Sequence, residues 1–260
     1  MKRFLAIVLL FSALICCTGC AGGGTHSLSG SSGTISGDVT SQAGNTEHSS
    51  GTSIELYLPQ LGEPEKGDTL ATLKTSMGDI TLRFFPDEAP LAVENFLSLA
   101  RNGYYDGVSF HNVVADYMIQ SGDPTGTGTG GESSFLGENG EPEQFADEFS
   151  PSLFHFSGAL AMANSGFPDS NGSQFFIVAN CRVSDEELAR LSSLGYPNEL
   201  VDAYRVYGGI PRFDYRYTVF GCVVDGMSVV QRISRAYTSG ASGGRPVEDV
   251  IIEAIELSER

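Results

Sequence analysis

The sequence predicts a mainly β domain, a closed or nearly closed barrel, over most of its length. Three observations carry this. Short runs rich in Val, Ile, Phe and Tyr follow one another, as in "GVSFHNVV", "GALAMAN", "SQFFIVAN" and "YTVFGCVV". Clusters of Gly, Pro, Asn and Asp separate them. No low-complexity break interrupts the chain between about Thr69 and Leu257, so one core of ordinary domain size is expected.

The elements can be taken in chain order. Residues 1–19 begin with Lys2 and Arg3, continue as an apolar run from Phe4 to Ile15, and end in small residues. That is the pattern of a secretory signal whose apolar run is short for a membrane span. It closes on "CTGC", which resembles the lipobox of bacterial lipoproteins, with Gly19 before the cut and Cys20 as the lipidated first residue; Cys17 stands where Leu is usual. Acyl chains on Cys20 would anchor the protein to a membrane. A lipid-anchored location on the bacterial cell envelope, with the domain outside the cytoplasm, is therefore expected.

Residues 20–68 are read as a tether, because the stretch to about Ser53 is nearly all Gly, Ser and Thr. Such a composition does not offset its ordering entropy, and random-coil scaling gives it a reach of roughly 40 Å. The domain itself is expected over residues 69–258. "TLATLKTSMGDITLRFF" reads as a hairpin around Met77-Gly78. "DEAPLAVENFLSLARNG" reads as a helix, with Pro90 near its start, apolar residues at helical spacing and Gly103 just past its end.

After the middle strands, residues 183–209 break the β rhythm. Ser184 and Glu187 form a capping box, Leu188 and Leu191 keep helical spacing, and Gly195, Pro197 and Gly208 mark a stop, a restart and a second stop. This predicts a helical hairpin inserted between two strands, packed as a lid over a barrel end. "GMSVVQRISRAY" reads as a further helix and "EDVIIEAIEL" as the closing strand.

Charge and cysteine usage narrow the function. The net charge is −17, and removal of residues 1–19 takes two of 15 basic and none of 32 acidic residues, giving −19. Such a surface repels phosphate backbones, so nucleic acid is not expected as a partner. His26, His48, His111 and His155 are scattered and no CxxC occurs beyond the signal-like "CTGC", so no metal site is expected. Cys181 and Cys222 remain in the body; outside the cytoplasm they could pair, and spacing leaves that open.

Three other signals were set aside. "GTGTGG" lacks a helix opening and a following Lys-Ser/Thr, so it is read as a loop and not a phosphate cradle. Cys181 with His111 or His155 lacks any supporting spacing for a thiol hydrolase. "NGS" at Asn171 is a chance glycosylation match.

Four motifs, "FHNVVADYMIQSGDP", "GALAMANSG", "NGSQFFI" and "YTVFGCVVDGM", together resemble the cyclophilin family of peptidyl-prolyl isomerases, in order and at suitable spacing. The resemblance implies a closed eight-stranded antiparallel barrel capped by two helices, and a cofactor-free enzyme that rotates X-Pro bonds. It implies proline-containing exported polypeptides as partners, and a monomer is expected.

The chemistry is consistent with a site that has no nucleophile. Rotation about a prolyl amide faces a barrier of roughly 20 kcal/mol, because resonance must be broken while no covalent bond changes. A catalyst needs an apolar pocket for the ring, polar groups that fix the neighbouring carbonyl, and a donor for the prolyl nitrogen as it gains lone-pair character. Carried over by the resemblance, Tyr117, Met118, Phe176 and Phe213 form the pocket, with Tyr217 beside it. Gln120, Asn164 and Gln174 form the polar set, and the backbone of Ala163 and Asn164 pairs with substrate.

Three positions depart from the family pattern. Tyr217 replaces a His, Arg212 replaces a frequent Trp, and Asn112 replaces the Arg after "FH". Asn offers a neutral amide on a shorter stem, and loss of one oriented donor typically costs roughly 3 to 4 kcal/mol, a hundredfold to a thousandfold in rate. A reduced rate is thus implied, with a proline-gripping holdase that hardly catalyses as the alternative. Arg212 would replace the lost guanidinium if it pointed into the groove toward Gln120; otherwise it is a solvated loop residue.

Overall fold

The computed structural model describes residues 56–260 apart from 239 and 241. Cys20, the signal-like segment and most of the expected tether lie outside the described residues. Among those described, eight strands form a single antiparallel sheet: β1 (Thr69–Thr75), β2 (Gly78–Phe84), β3 (Asn112–Val114), β4 (Met118–Ser121), β5 (Ala159–Met162), β6 (Phe175–Val178), β7 (Val219–Asp225) and β8 (Ile252–Glu259). Their order across the sheet is β3-β4-β6-β5-β7-β2-β1-β8.

The sheet curls into a half-barrel and does not close, which corrects the closed barrel expected from sequence. The reason lies at the two edges. β8 pairs along the whole of β1, from Thr69↔Glu259 to Thr75↔Ile252, and β3 has only three residues. The segment feeding β3 meets the start of β8 over a short stretch, through a Ser109↔Ile251 bridge and three backbone bonds: Gly107 N–H to Ile252 O at 2.7 Å, Ile252 N–H to Val108 O at 2.9 Å and Phe110 N–H to Val250 O at 2.8 Å. β3 itself bridges to Gly244. Among the described residues no ladder pairs β3 with β8.

Four helices accompany the sheet: α1 (Pro90–Arg101), α2 (Asp185–Ser193), α3 (Asn198–Tyr207) and α4 (Met227–Ser234). α1 buries Ala92, Val93, Phe96, Leu99 and Ala100 as the spacing predicts. Its start lacks a local cap, and Glu148 supplies one from a distant loop, accepting from the Leu91 and Ala92 N–H groups at 3.0 and 2.9 Å. The hairpin turn falls one residue earlier than expected. Thr75 pairs with Gly78, so Ser76-Met77 make the turn.

The inserted hairpin is α2 and α3. Ser184 accepts from the Glu187 N–H at 3.2 Å as the capping box requires, and Gly195 and Gly208 take left-handed φ of 84° and 70° at the two stops. It buries Leu188, Leu191, Leu200, Val201 and Tyr204 against Phe154 and Phe156. Leu56, Leu58 and Leu61 pack on the same cluster, so the ordered body reaches back into the end of the stretch read as tether. Gln60 bonds both backbone groups of Phe154, and Asp68 pairs with Arg83 at 2.7 Å.

Candidate active site

The register across β3, β4 and β6 builds one wall of the site. Asn112 lies opposite Gln120, and Gln120 opposite Phe176. Strand alternation then puts Met118 and Gln120 on one face, with Ile119 and Ser121 buried on the other. Along this wall the side-chain amides form a relay. Asn112 Nδ2 donates to Gln120 Oε1 at 3.1 Å, and Gln120 Nε2 donates to Gln174 Oε1 at 2.9 Å. Gln174 Nε2 donates to the carbonyls of Gly128 and Gly130 at 3.1 and 2.7 Å. Those carbonyls only accept, so they fix the polarity of the whole chain.

The loop that carries the two carbonyls is held by Asp123, fully buried, whose carboxylate accepts from the N–H groups of Thr125, Thr127, Gly128 and Gly130 at 2.7 to 3.1 Å. Burial raises this carboxyl, but the bonds from Thr125, Gly130 and Gly128 outweigh it and hold it well below the ordinary carboxylate range. "GTGTGG" is thus a loop whose amides serve an internal carboxylate. Gln120, Gln174, Ala163 and Asn164 line a cavity of about 350 Å³ beside it.

Beside the amides the site is aromatic. Tyr117, Met118, Phe213 and Tyr217 are half-buried around Phe176. Phe213 meets Tyr217 at 4.9 Å, Phe176 at 5.7 Å and Tyr117 at 5.8 Å, all edge to face. Behind them sits His155, its ring stacked on Phe176 at 6.0 Å. His155 Nδ1 and its backbone N–H each lie 3.0 Å from Asp214 Oδ1, and a carboxylate accepts, so Nδ1 donates. Tyr204 of α3 donates to the same carboxylate at 2.7 to 2.8 Å. Burial and then the Asp214 charge push the Tyr204 hydroxyl well above the usual tyrosine range, so it remains a donor.

Sequence reasoning missed this triad. It considered His155 only as a partner for Cys181, and neither Asp214 nor Tyr204 belonged to a motif. Asp214 directly follows a pocket residue, Phe213, which was the one available signal; a tyrosine in an insertion gives none.

Arg212 is exposed, and its Nε and Nη2 donate to the Tyr117 hydroxyl at 3.1 and 2.6 Å. Its guanidinium also lies 5.1 Å from the Tyr117 ring centroid. It makes no bond to Gln120, so the geometry does not support the idea that it replaces the family arginine. Asn164 is pinned at both ends of its side chain, donating to Arg216 O at 3.1 Å and accepting from the Gly166 N–H at 3.1 Å. β5 ends at Met162, which leaves the Asn164 backbone beyond the ladder; the Ala163 N–H is already used on Gln174 O at 2.9 Å.

Cys181 and Cys222 are free thiols. Burial pushes Cys181 up, and Cys222 up to about 12, so neither is an activated nucleophile. Asn171 is fully buried and donates to Phe145 O and Asp147 Oδ1, which removes it as a glycosylation acceptor. No group of His, Cys, Asp and Glu fit for a metal exists among the described residues.

A curled antiparallel sheet with an aromatic pocket beside an amide row, and no activated thiol among the described residues, fits a class that acts by gripping and polarising its ligand. The comparisons give that class its family. The profile described as "Cyclophilin type peptidyl-prolyl cis-trans isomerase/CLD" matches residues 70–257. A Staphylococcus aureus protein named "Putative peptidyl-prolyl cis-trans isomerase" is 46% identical over 202 residues, covering 77% of this chain and 98% of its own length. A Staphylococcus epidermidis protein of the same name is 45% identical over the same length. A Cryptosporidium parvum cyclophilin-type isomerase matches in structure at 30% identity with a TM-score of 0.58, covering 74% of this chain and 99% of its own. The same protein, solved in the presence of the dipeptide Ala-Pro, matches with a TM-score of 0.57. This chain belongs to the cyclophilin-type peptidyl-prolyl cis-trans isomerases.

Proposed function

We propose that this isomerase acts on proline-containing segments of exported polypeptides, at a reduced rate, from a lipid anchor at Cys20 on the outer side of a bacterial membrane. The observation that carries the reading of the site is the Asn112-Gln120-Gln174 relay beside the Phe176 pocket. The pocket would hold the proline ring. Gln120 and the Asn164 backbone would hold the preceding carbonyl, and Asn112, standing where the family has Arg, would be the donor nearest the twisting bond.

One N–H of Asn112 is used on Gln120. The other is a neutral donor on a short stem, weaker than a guanidinium fork at stabilising lone-pair density on nitrogen. An apolar pocket that grips the proline ring can still favour a twisted prolyl bond, so a rate above the uncatalysed one is expected. The signal-like 1–19 and the Cys20 motif support the location. The holdase reading rests on the same Asn112.

The test is a prolyl-peptide isomerisation assay on the chain from residue 20 with Cys20→Ala, beside Asn112→Arg in that background. The wild-type site should exceed the uncatalysed rate, and Asn112→Arg should raise kcat/KM by about tenfold to a hundredfold. Acceleration by Asn112→Arg alone would support the holdase. Metabolic labelling with palmitate, lost in Cys20→Ala of the full chain, checks the anchor.

A further inference from the structure

Phe149, Phe167 and Tyr215 are 44%, 73% and 52% exposed, and all three converge on one groove of about 330 Å³. Large aromatic groups left in water side by side usually mark a contact surface. The same groove is lined by Asn164 and Tyr217, which belong to the proline site. It is therefore continuous with the place where the substrate chain must run.

Both banks are fixed by the fold. On one, Asp147 and Asp169 bond reciprocally, N–H to carboxylate, at 2.9 and 3.1 Å, which pins the 164–170 loop bearing Phe167 to the segment bearing Phe149. Asp169 has φ of 56° there. On the other, Asp214 is drawn inward by His155 and Tyr204, and the next residue, Tyr215, turns outward with φ of 58°. A bulky aromatic in that region is a genuine outlier, sustained only when the surroundings over-determine it. The groove is thus built before any ligand arrives.

We infer that this groove is a second substrate subsite, which takes an apolar or aromatic side chain flanking the proline of the polypeptide held in the Phe176 pocket. The inference rests on the isomerase reading and adds a selectivity to it: the subsite would favour exposed hydrophobic segments of incompletely folded chains over polar prolyl loops. Phe167 and Tyr215 are its specificity-determining residues. Neither touches the relay or the proline pocket's inner rings.

The experiment compares two prolyl-peptide series on the full chain, one with Leu or Phe flanking the X-Pro unit and one with Ser, in both isomerisation and direct binding by NMR titration. Wild type should favour the apolar series by about tenfold. Phe167→Ser, and Tyr215→Asn, chosen because Asn tolerates the left-handed backbone, should each bring the preference to within about twofold and leave the rate on the Ser series unchanged. An unchanged preference in both variants overturns the inference. If no peptide is isomerised but the binding preference persists and is lost in Phe167→Ser, the subsite stands and the catalytic reading falls. Concentration-dependent self-association abolished by Phe167→Ser would assign the groove to a second copy of the chain and overturn it.

Discussion

Along one side of the groove Asn112, Gln120 and Gln174 pass hydrogen bonds from one half-exposed amide to the next, ending on two loop carbonyls. Beside them, Phe176, Phe213 and Tyr217 stand on His155, and His155 is held by a carboxylate that α3 reaches with Tyr204. The polar side is solvated and local to neighbouring strands. The aromatic side rests on a dry support, with the His155 and Asp214 side chains each 1% exposed. Water can replace a lost partner on the first side and cannot on the second. Changes to the amide wall should therefore read out in rate, and changes beneath the aromatic wall in stability.

Removing the Asp214 carboxylate offers the severest test of that contrast. Asp214→Ala leaves the His155 N–H, its ring and the Tyr204 hydroxyl without an acceptor in a buried place, and should lower unfolding free energy by about 3 kcal/mol or more. Denaturant titration measures it; a loss below about 1 kcal/mol would mean that the site relaxes to let water in. On the amide side, the Asn112→Arg change proposed above should alter stability by no more than about 0.5 kcal/mol while moving the rate most.

Tyr204→Phe keeps the ring against Phe156, 4.7 Å away, and deletes only the hydroxyl. It should cost about 1 to 2 kcal/mol in the same titration. Because Asp214 adjoins Phe213, KM for prolyl peptides should rise more than kcat falls. Equal losses in both parameters would instead make the insertion a lid with no hold on the pocket.

The smallest effect is expected from Arg212→Ala. An exposed guanidinium over a tyrosine contributes about 0.5 to 1 kcal/mol, and with no bond to Gln120 its removal should leave kcat within about twofold. A tenfold fall in kcat would restore Arg212 as a stand-in for the missing arginine.

Much of this was legible in the sequence. The helix over Pro90–Arg101, the capping box at Ser184 and Glu187, and the strand within "SQFFIVAN" follow from spacings within a few residues. The polar set came from motif order, and the relay joins two of its members, Gln120 and Gln174, with Asn112; Asn164 is tied instead to Arg216 and Gly166.

What the sequence by itself determined, then, was which segments become strands and helices and which side chains line up on each, because those depend on backbone periodicity and local caps. Whether the barrel closes, where Arg212 points and what supports the pocket were decided only by tertiary structure. Closure depends on register between edges far apart in the chain, Arg212 on a tyrosine 95 residues away, and the pocket's support on Tyr204 meeting Asp214 and His155. Such contacts are chosen by burial and by the need to satisfy every polar group taken out of water, and no short spacing records them.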